Sequence, residues 1–165
     1  MNILQTLRTI VKDQVDGSFV VNQLKYSAKA QFSSVDKRVF DDETPVSLCN
    51  YVDVYYNDTI THQIEFMKGS ATANEIERFN LQEGDVIITK DSESWDDIAV
   101  PAYVSFTADD ILCGYHLAQI RPDIRGLNGK YLFYLLSSSL INYQFRVAST
   151  GVTRYGLGKY WLDNA

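Results

Sequence analysis

The sequence predicts an α+β domain, in which a twisted, mixed or antiparallel and partly barrel-like sheet is accompanied by a buried C-terminal helix and an N-terminal amphipathic helix. Short runs of apolar, β-branched and aromatic residues, bounded by turn residues, recur over residues 46–120 and are typical of strands. Residues 130–147 instead repeat leucines and aromatics at helical spacing. With 165 residues and a 45% hydrophobic composition, the chain is long enough for one domain with a core.

The predicted strands cover residues 46–56, 85–89, 98–106 and 111–120. Pro101 suggests a sheet edge or a bulge in the third of them, because proline has no N–H to donate to a neighbouring strand. Residues 60–67 fit a strand or a short helix, and Lys68-Gly69-Ser70 is expected to end them. Asn74 is expected to cap a helical turn over residues 75–79, and residues 160–164 look like the start of a strand.

The N-terminal prediction is an amphipathic helix over residues 2–15 that ends near Gly17. Its apolar residues recur three to four positions apart, which places them on one side of a helix. We therefore expect a single domain over residues 1–165, with the helix in residues 1–18 and the core in residues 19–165.

Charge is distributed unevenly along the chain. The formal net charge of -6 argues at first against nucleic acid, whose phosphates attract cationic proteins. Residues 124–162, however, contain no Asp or Glu and carry five Lys or Arg residues, so that segment has a charge of +5 and the remainder -11. This asymmetry indicates one face that meets an anion.

The remaining composition favours a reduced cytoplasmic protein. Cys49 and Cys113 are too few for a disulfide framework and fit buried thiols. We find neither an apolar window long enough to cross a membrane nor a signal peptide at the N-terminus. We therefore expect cytoplasmic localisation and no membrane contact.

Two polar segments are candidate sites. The first, the polar tip of residues 90–97, lies between two apolar runs and is predicted to cap a hairpin over residues 84–104. The second, the glycine loop of residues 148–158, follows the predicted helix and holds three glycines, which permit positive φ or close backbone approach. Taken alone, the polar tip is more often a solvated loop than a binding site.

The motifs of common enzymes are missing. Gly129-Lys130-Tyr131 does not match a phosphate-binding loop, no dinucleotide fingerprint is present, and the cysteines and histidines are too scattered for zinc. His116 falls in the middle of a predicted strand, which favours a core histidine. A metal-dependent nuclease at the four acids of the polar tip is weakened because no carboxylate stands two residues before Lys90. We expect no catalytic residue, no metal and no cofactor.

Four segments together resemble a known family: LQEGDVIITKDSESWDDIAVPAYV, ILCGYHLAQIRPD, GKYLFYLLSSSLINYQF and ASTGVTRYGLGKYWL. Their order resembles a target-recognition domain from the specificity (S) subunit of type I restriction-modification enzymes. The resemblance implies an α+β, non-catalytic domain that reads one half of a bipartite DNA sequence, while separate subunits methylate and cleave. It also implies a truncation, since the family continues beyond this chain's end into a conserved spacer helix.

The resemblance places DNA contacts on both candidate segments. Arg154 could pair with a guanine edge or a phosphate, and Arg146 and Lys159 could hold the DNA backbone. Arg154 could instead cap the preceding helix, and Trp95 and Tyr155 could pack on the hairpin. The DNA-binding prediction comprises Lys90, Ser92, Ser94, Arg146, Thr150, Thr153, Arg154, Tyr155 and Lys159.

The partners implied are double-stranded DNA and the modification (methyltransferase) and restriction subunits of the same system, with self-association a further expectation. The alternative function is a truncated protein-interaction module that docks on a modification subunit and competes with or substitutes for the full specificity subunit. The acidic remainder of the chain and the predicted N-terminal helix favour that alternative.

Overall fold

The computed structural model describes residues 23–123 and 125–165, so the helix predicted over residues 2–15 lies outside the described residues. Short 3-10 turns occupy Leu24–Tyr26 and Trp95–Asp97. The helices are α1 (Tyr51–Tyr55), α2 (Ala73–Phe79), α3 (Gly129–Ser137), α4 (Ser139–Ala148) and α5 (Lys159–Asp163). The strands are β1 (Ala28–Phe32), β2 (Thr44–Cys49), β3 (Thr59–Ile60), β4 (Met67–Ala71), β5 (Asn80–Leu81), β6 (Val86–Thr89), β7 (Asp91–Ser92), β8 (Pro101–Val104), β9 (Ala108–Cys113), β10 (Leu117–Pro122) and β11 (Tyr155–Gly156).

The strands form three sheets, which confirms the predicted α+β class. The largest sheet has the order β1-β10-β6-β8-β3, a second has the order β4-β2-β9-β5, and β7 pairs with β11. Both larger sheets are mixed, because β3 runs parallel to β8 and β2 parallel to β9 while the other pairs are antiparallel.

Strand β6 lies between two hydrophobic cores. Val86 and Ile88 belong to the core that includes Leu132 and Leu136 of α3. Ile87 points to the other face and belongs to the core shared with the four-stranded sheet. Each of these side chains is fully buried and contributes about 1.5–3 kcal/mol. Since both faces are covered, the strand is a continuous apolar run instead of an alternating one.

The helix predicted over residues 130–147 is broken into α3 and α4. Ser138 between them is extended, with φ -64° and ψ 136°, and its hydroxyl donates to the carbonyl of Leu135 over 2.7 Å. Serine hydroxyls compete for helix carbonyls in this way, and three serines in a row make the break local. The helix pair buries one face through Leu132, Leu136 and Phe145, whereas its outer face exposes large side chains: Tyr131, Tyr134, Leu140, Tyr143 and Val147.

Two predicted strands are wrong in length, because a helix-capping residue, Asn50, ends one of them and Gly114 divides the other. The strand over residues 46–56 ends at Cys49, where Asn50 caps α1 and its N–H donates to Asp53 Oδ2 over 2.7 Å. The strand over residues 111–120 is divided between β9 and β10, which belong to different sheets. Gly114 forms the corner, since its N–H donates to the Cys49 carbonyl over 2.8 Å and a Cβ would lie 2.8 Å from Asn50 Oδ1.

Four further local expectations are corrected. Lys68-Gly69-Ser70 lies within β4 instead of ending a segment, because Gly69 pairs with Val46 of β2. Thr72 caps α2 in place of Asn74, with its hydroxyl accepting from the N–H of Glu75 over 3.3 Å. Residues 160–164 begin in α5, not in a strand. Pro101 opens β8 within the sheet, beyond the point where β3 pairs, so its missing N–H leaves no ladder bond unmade.

No helix among the described residues is both long enough and apolar enough to cross a membrane.

Gly129 joins the helical layer to the β6–β8 hairpin. A Cβ at this position would overlap with the carbonyl group of Gly84, which has a positive φ of 95°. We expect Gly129→Ala to lower the free energy of unfolding by about 1–3 kcal/mol, because backbone must move to admit the methyl group. Gly126 is the matched control, since a Cβ there meets nothing within 4 Å. Urea unfolding followed by circular dichroism should show no loss for Gly126→Ala; equal effects of both changes would contradict the packing argument.

Candidate functional site

Backbone pairing brings the polar tip and the glycine loop together. β7 pairs antiparallel with β11, so that Ser92 faces Tyr155 and Asp91 faces Gly156. The N–H of Leu157 donates to the carbonyl of Lys90 over 2.8 Å. The two candidate segments, distant in sequence, therefore form one surface at the end of the hairpin.

Gly151 gives the glycine loop its shape. Its φ is 152°, and a Cβ would overlap with the carbonyl oxygen of Arg154. Thr150 and Gly156 exchange two backbone hydrogen bonds of 3.1 and 2.9 Å across the loop. Residues 150–156 thus close into a small turn that carries Arg154 to the polar tip.

Thr89 links the two ends of the polar tip through its side chain. Its hydroxyl donates to the carbonyl of Asp97 over 2.6 Å and accepts from the N–H of Val100 over 2.9 Å. Ala99 has a φ of 61°, and its carbonyl accepts from the buried amide of Asn142 in α4 over 2.7 Å. The tip is therefore tied to the helical layer and is a rigid platform.

The carboxylate of Asp91 lies at the centre of the charge cluster, which consists of Lys90, Asp91, His116 and Arg154. Asp91 Oδ2 is 2.8 Å from Lys90 Nζ, while its Oδ1 is 2.7 Å from His116 Nδ1 and 2.9 Å from Arg154 Nη2. The cluster joins the polar tip, the Gly114–His116 corner and the glycine loop. With His116 neutral, its net charge is +1.

Arg154 presents one edge of its guanidinium to Asp91. Its Nε and Nη2 lie 3.2 and 2.9 Å from Asp91 Oδ1, and half of the side chain, 52%, is exposed. A guanidinium has five N–H groups, and the Nη1 hydrogens are not used by this pair. Nη2 also lies 3.2 Å from His116 Nδ1, so the Nη1 end is the part of the guanidinium left to donate to a guanine edge or a phosphate. The helix-capping alternative is not seen, because the Ser149 N–H and hydroxyl bind the last α4 turn at the Arg146 carbonyl.

Lys90 lies deeper in the cluster. Its side chain is 13% exposed, and its ammonium lies 4.8 Å from the ring centre of Tyr115 and 5.7 Å from that of Phe32. Cation–π contacts and the bond to Asp91 hold it in this position. Lys90 therefore adds positive electrostatic potential to the surface although its side chain is largely buried.

Asp91 is ionised in this setting. Burial would raise the pKa of its carboxyl group, but the hydrogen bond from Lys90 and the charges of Lys90, His116 and Arg154 outweigh that effect and lower the pKa below its ordinary value. His116 Nδ1 lies 2.7 Å from Asp91 Oδ1 and 3.2 Å from Arg154 Nη2, which leaves Nε2 for another partner.

The other predicted residues of the polar tip have internal partners. Ser92 is buried and its hydroxyl lies 3.2 Å from the hydroxyl of Tyr51 in α1. Ser94 donates to Asp96 in a short hydrogen bond. Trp95 is 43% exposed, whereas Tyr155 packs against the helical core. Ser92 and Tyr155 therefore support the surface by packing.

The basic residues of the 124–162 segment do not form one patch. Arg125 pairs with Asp123, and Lys159 pairs with Asp163 over 2.6 Å, so acids at the borders of the segment neutralise both. Lys130 lies over the ring of Tyr103. The Nε of Arg146 is buried without a partner among the described residues. Thr150 and Thr153 are exposed in the glycine loop.

Three of the four acids of the polar tip have different partners. Asp91 binds the charge cluster, Asp97 Oδ1 accepts from the hydroxyl of Tyr55 over 3.0 Å, and Asp96 accepts from Ser94. The Ser94 and backbone hydrogen bonds, together with the charge of Arg146, lower the pKa of Asp96. Within residues 23–123 and 125–165, no group of three or more His, Cys, Asp or Glu side chains is arranged to hold a metal ion.

Sequence reasoning missed His116, Tyr115 and Tyr51. The mid-strand reading of His116 is wrong, because His116 follows the Gly114 corner and is 38% exposed beside Asp91. Tyr115 is 51% exposed and packs edge-on against His116, with ring centres 4.7 Å apart. The signal was Gly114 itself, since a glycine within an apolar run marks a bend or a close approach.

Comparison with solved structures identifies the fold. A structure of the type I R-M system, described for its complex assembly and conformational transition, aligns with 99% of this chain at a TM-score of 0.56 and 12% identity. The HsdS subunit from Thermoanaerobacter tengcongensis aligns with 98% at a TM-score of 0.53 and 13% identity. The type I restriction-modification system S subunit from M. genitalium aligns with 92% at a TM-score of 0.47 and 10% identity.

The chain spans 38% and 40% of the two structures with the higher TM-scores, and 35% of the third. No protein-family model and no curated protein matches the sequence. The chain therefore shares its fold with structures from type I restriction-modification systems, in agreement with the resemblance found in its motifs.

The lowered pKa of Asp91 makes a prediction about stability. The ionised carboxylate stabilises the fold above the unfolded pKa of about 3.9, and this stabilisation is lost as pH falls through the lower folded pKa. We expect Asp91→Asn to cost about 1–2 kcal/mol at neutral pH, because buried Lys90 loses a charged partner. The difference from wild type should shrink below about pH 4. Urea unfolding at a series of pH values measures it, and a difference that is constant down to acid pH would contradict the role of the charge.

Proposed function

We propose that this chain is a DNA target-recognition domain that reads one half of a bipartite sequence for a type I restriction-modification system and has no catalysis of its own. The observation that carries the proposal is the convergence of the polar tip and the glycine loop on one exposed guanidinium, that of Arg154. The fold shared with type I restriction-modification structures supports it.

The charge cluster has the chemistry that base reading requires. Bidentate pairing of arginine with the O6 and N7 atoms of guanine is the commonest specific contact in the major groove. The Nη1 hydrogens of Arg154, which neither Asp91 nor His116 contacts, are donors of the kind that this contact needs. His116 Nε2 and the exposed hydroxyls of Thr150 and Thr153 add donors and acceptors beside it. Sequence reading is therefore favoured over contact with phosphate alone.

The wider assignment follows from the same proposal. The chain covers about two fifths of the structures it resembles, which suits one half of a two-part recognition subunit. Its partners would be double-stranded DNA and the modification and restriction subunits, with the complex working in the cytoplasm. Lys159 and Arg146 would contact the DNA backbone, although Lys159 must first leave Asp163.

One observation favours the second candidate, a module that docks on a modification subunit. The outer face of α3 and α4 exposes apolar and aromatic side chains, each more than half exposed: Tyr131, Tyr134, Leu140, Tyr143 and Val147. Such a face on a small domain is typical of a protein-binding surface. Capture of a modification subunit by a chain that binds no duplex would favour this function over DNA reading.

Arg154→Ala tests the DNA-reading function. A randomised duplex library bound to the wild-type chain should become enriched in one half-site. We expect Arg154→Ala to weaken binding to that half-site by about 1–3 kcal/mol while changing other duplexes less, because a base contact is lost. Quantitative binding to the enriched and a scrambled duplex at fixed salt measures the difference.

Arg125→Ala is the matched control. Arg125 carries the same charge and pairs with Asp123 in a similar way, but it lies beyond the opposite end of β10, about 20 Å from His116 by strand length. We expect it to leave discrimination unchanged. Equal weakening by Arg154→Ala on every duplex would show that Arg154 contacts only phosphate.

A further inference from the structure

We propose that Asp91 sets the sequence discrimination of this surface and does so at the expense of affinity. This inference rests on the proposed function and deepens it. Asp91 would be a positioning residue, because it acts on DNA through Arg154 and His116 and not through a contact of its own.

The geometry makes Asp91 the only group that touches all other members of the charge cluster. Its two oxygens lie within 2.9 Å of atoms of Lys90, His116 and Arg154, which come from three separate segments. The Asp91 side chain is itself 16% exposed, so most of the carboxylate is covered by these partners. Its backbone pairs with Gly156, which fixes the distance between the tip and the loop.

Asp91 reduces the freedom of Arg154. An exposed arginine samples many rotamers, and ordering it on binding costs free energy. Asp91 contacts Nε and Nη2, and His116 Nδ1 lies 3.2 Å from Nη2, so the guanidinium is held before DNA arrives and Nη1 is left to donate. A guanidinium held in one orientation fits a guanine edge and fits other bases poorly.

The same carboxylate opposes DNA binding in general. A negative charge beside the groove repels phosphates and cancels one of the two permanent positive charges of the cluster. Removing this charge raises the net charge of the cluster from +1 to +2. Affinity for duplexes that lack the half-site should then rise, because Arg154 becomes free to contact phosphate in many orientations.

Loss of the Asp91 charge is therefore expected to raise affinity for a scrambled duplex and to lower the preference for the half-site. This combination distinguishes a positioning residue from one that only stabilises the fold. A residue that only stabilised the fold would weaken binding to every duplex when changed. Asp91→Asn removes the charge at nearly constant shape. We expect it to tighten binding to a scrambled duplex by about two- to fivefold at low salt. We also expect the preference for the enriched half-site over the scrambled duplex to fall about tenfold.

Two variants control for charge and for folding. Asp123→Asn removes one carboxylate that also pairs with an arginine, at the opposite end of β10, and should leave the preference unchanged. Asp91→Glu keeps the charge but moves the carboxylate, so the preference should fall while binding to the scrambled duplex stays constant. Urea unfolding at neutral pH establishes that each variant is folded. If Asp91→Asn does not fold, the preference of Asp91→Glu for the half-site is the test.

The outcomes distinguish this inference from the function on which it rests. If the wild-type chain enriches no sequence from the randomised duplex library, the proposed function fails. If the wild type enriches a half-site and folded Asp91→Asn or Asp91→Glu discriminates equally well, the function stands and the role of Asp91 is overturned. A loss of binding by Asp91→Asn to both duplexes also overturns it, since that is the behaviour of a structural residue.

Discussion

Burial of β6 on both faces is the constraint on which the rest of the structure depends. Val86 and Ile88 enter one core and Ile87 the other, so a slip of one residue would exchange all of them. The strand runs directly into Lys90 and Asp91, and its register with β10 therefore also decides where these two side chains project. A site that continues a strand fixed in this way is held by the core and not by its own loop.

The charge cluster uses this rigidity across long sequence separations. Asp91 extends from the β6–β8 hairpin, His116 from the corner between β9 and β10, and Arg154 from the turn closed by Gly151. Each of these segments has its own backbone anchor, such as the bond from Leu157 to Lys90. The ion pairs therefore orient the side chains more than they hold the segments together.

Sequence reasoning was most successful where local pattern and tertiary structure agree. The apolar runs on either side of residues 90–97 predicted the β6–β8 hairpin and its polar tip. The division of residues 111–120 was missed because no charge or proline interrupts that run. The chain turns at Gly114, and a glycine is needed there because Asn50 and Cys49, far away in sequence, leave no room for a Cβ. His116 was missed for the same reason, since its exposure depends on that turn.

Net charge alone would have misplaced the proposed DNA surface. The 124–162 segment has a charge of +5, yet Arg125 and Lys159 are paired with acids just outside its borders. Arg154 is also paired, but its partner Asp91 comes from the acidic part of the chain and leaves Nη1 of the guanidinium without a contact to the carboxylate. The arrangement of the charged side chains therefore matters more than the net charge of the segment. The charges of Arg125 and Lys159 are each cancelled by their acidic partner, whereas the charge cluster around Asp91 keeps a net positive charge. In the proposed function, a surface with few charges and fixed directions favours sequence reading over general attraction to DNA.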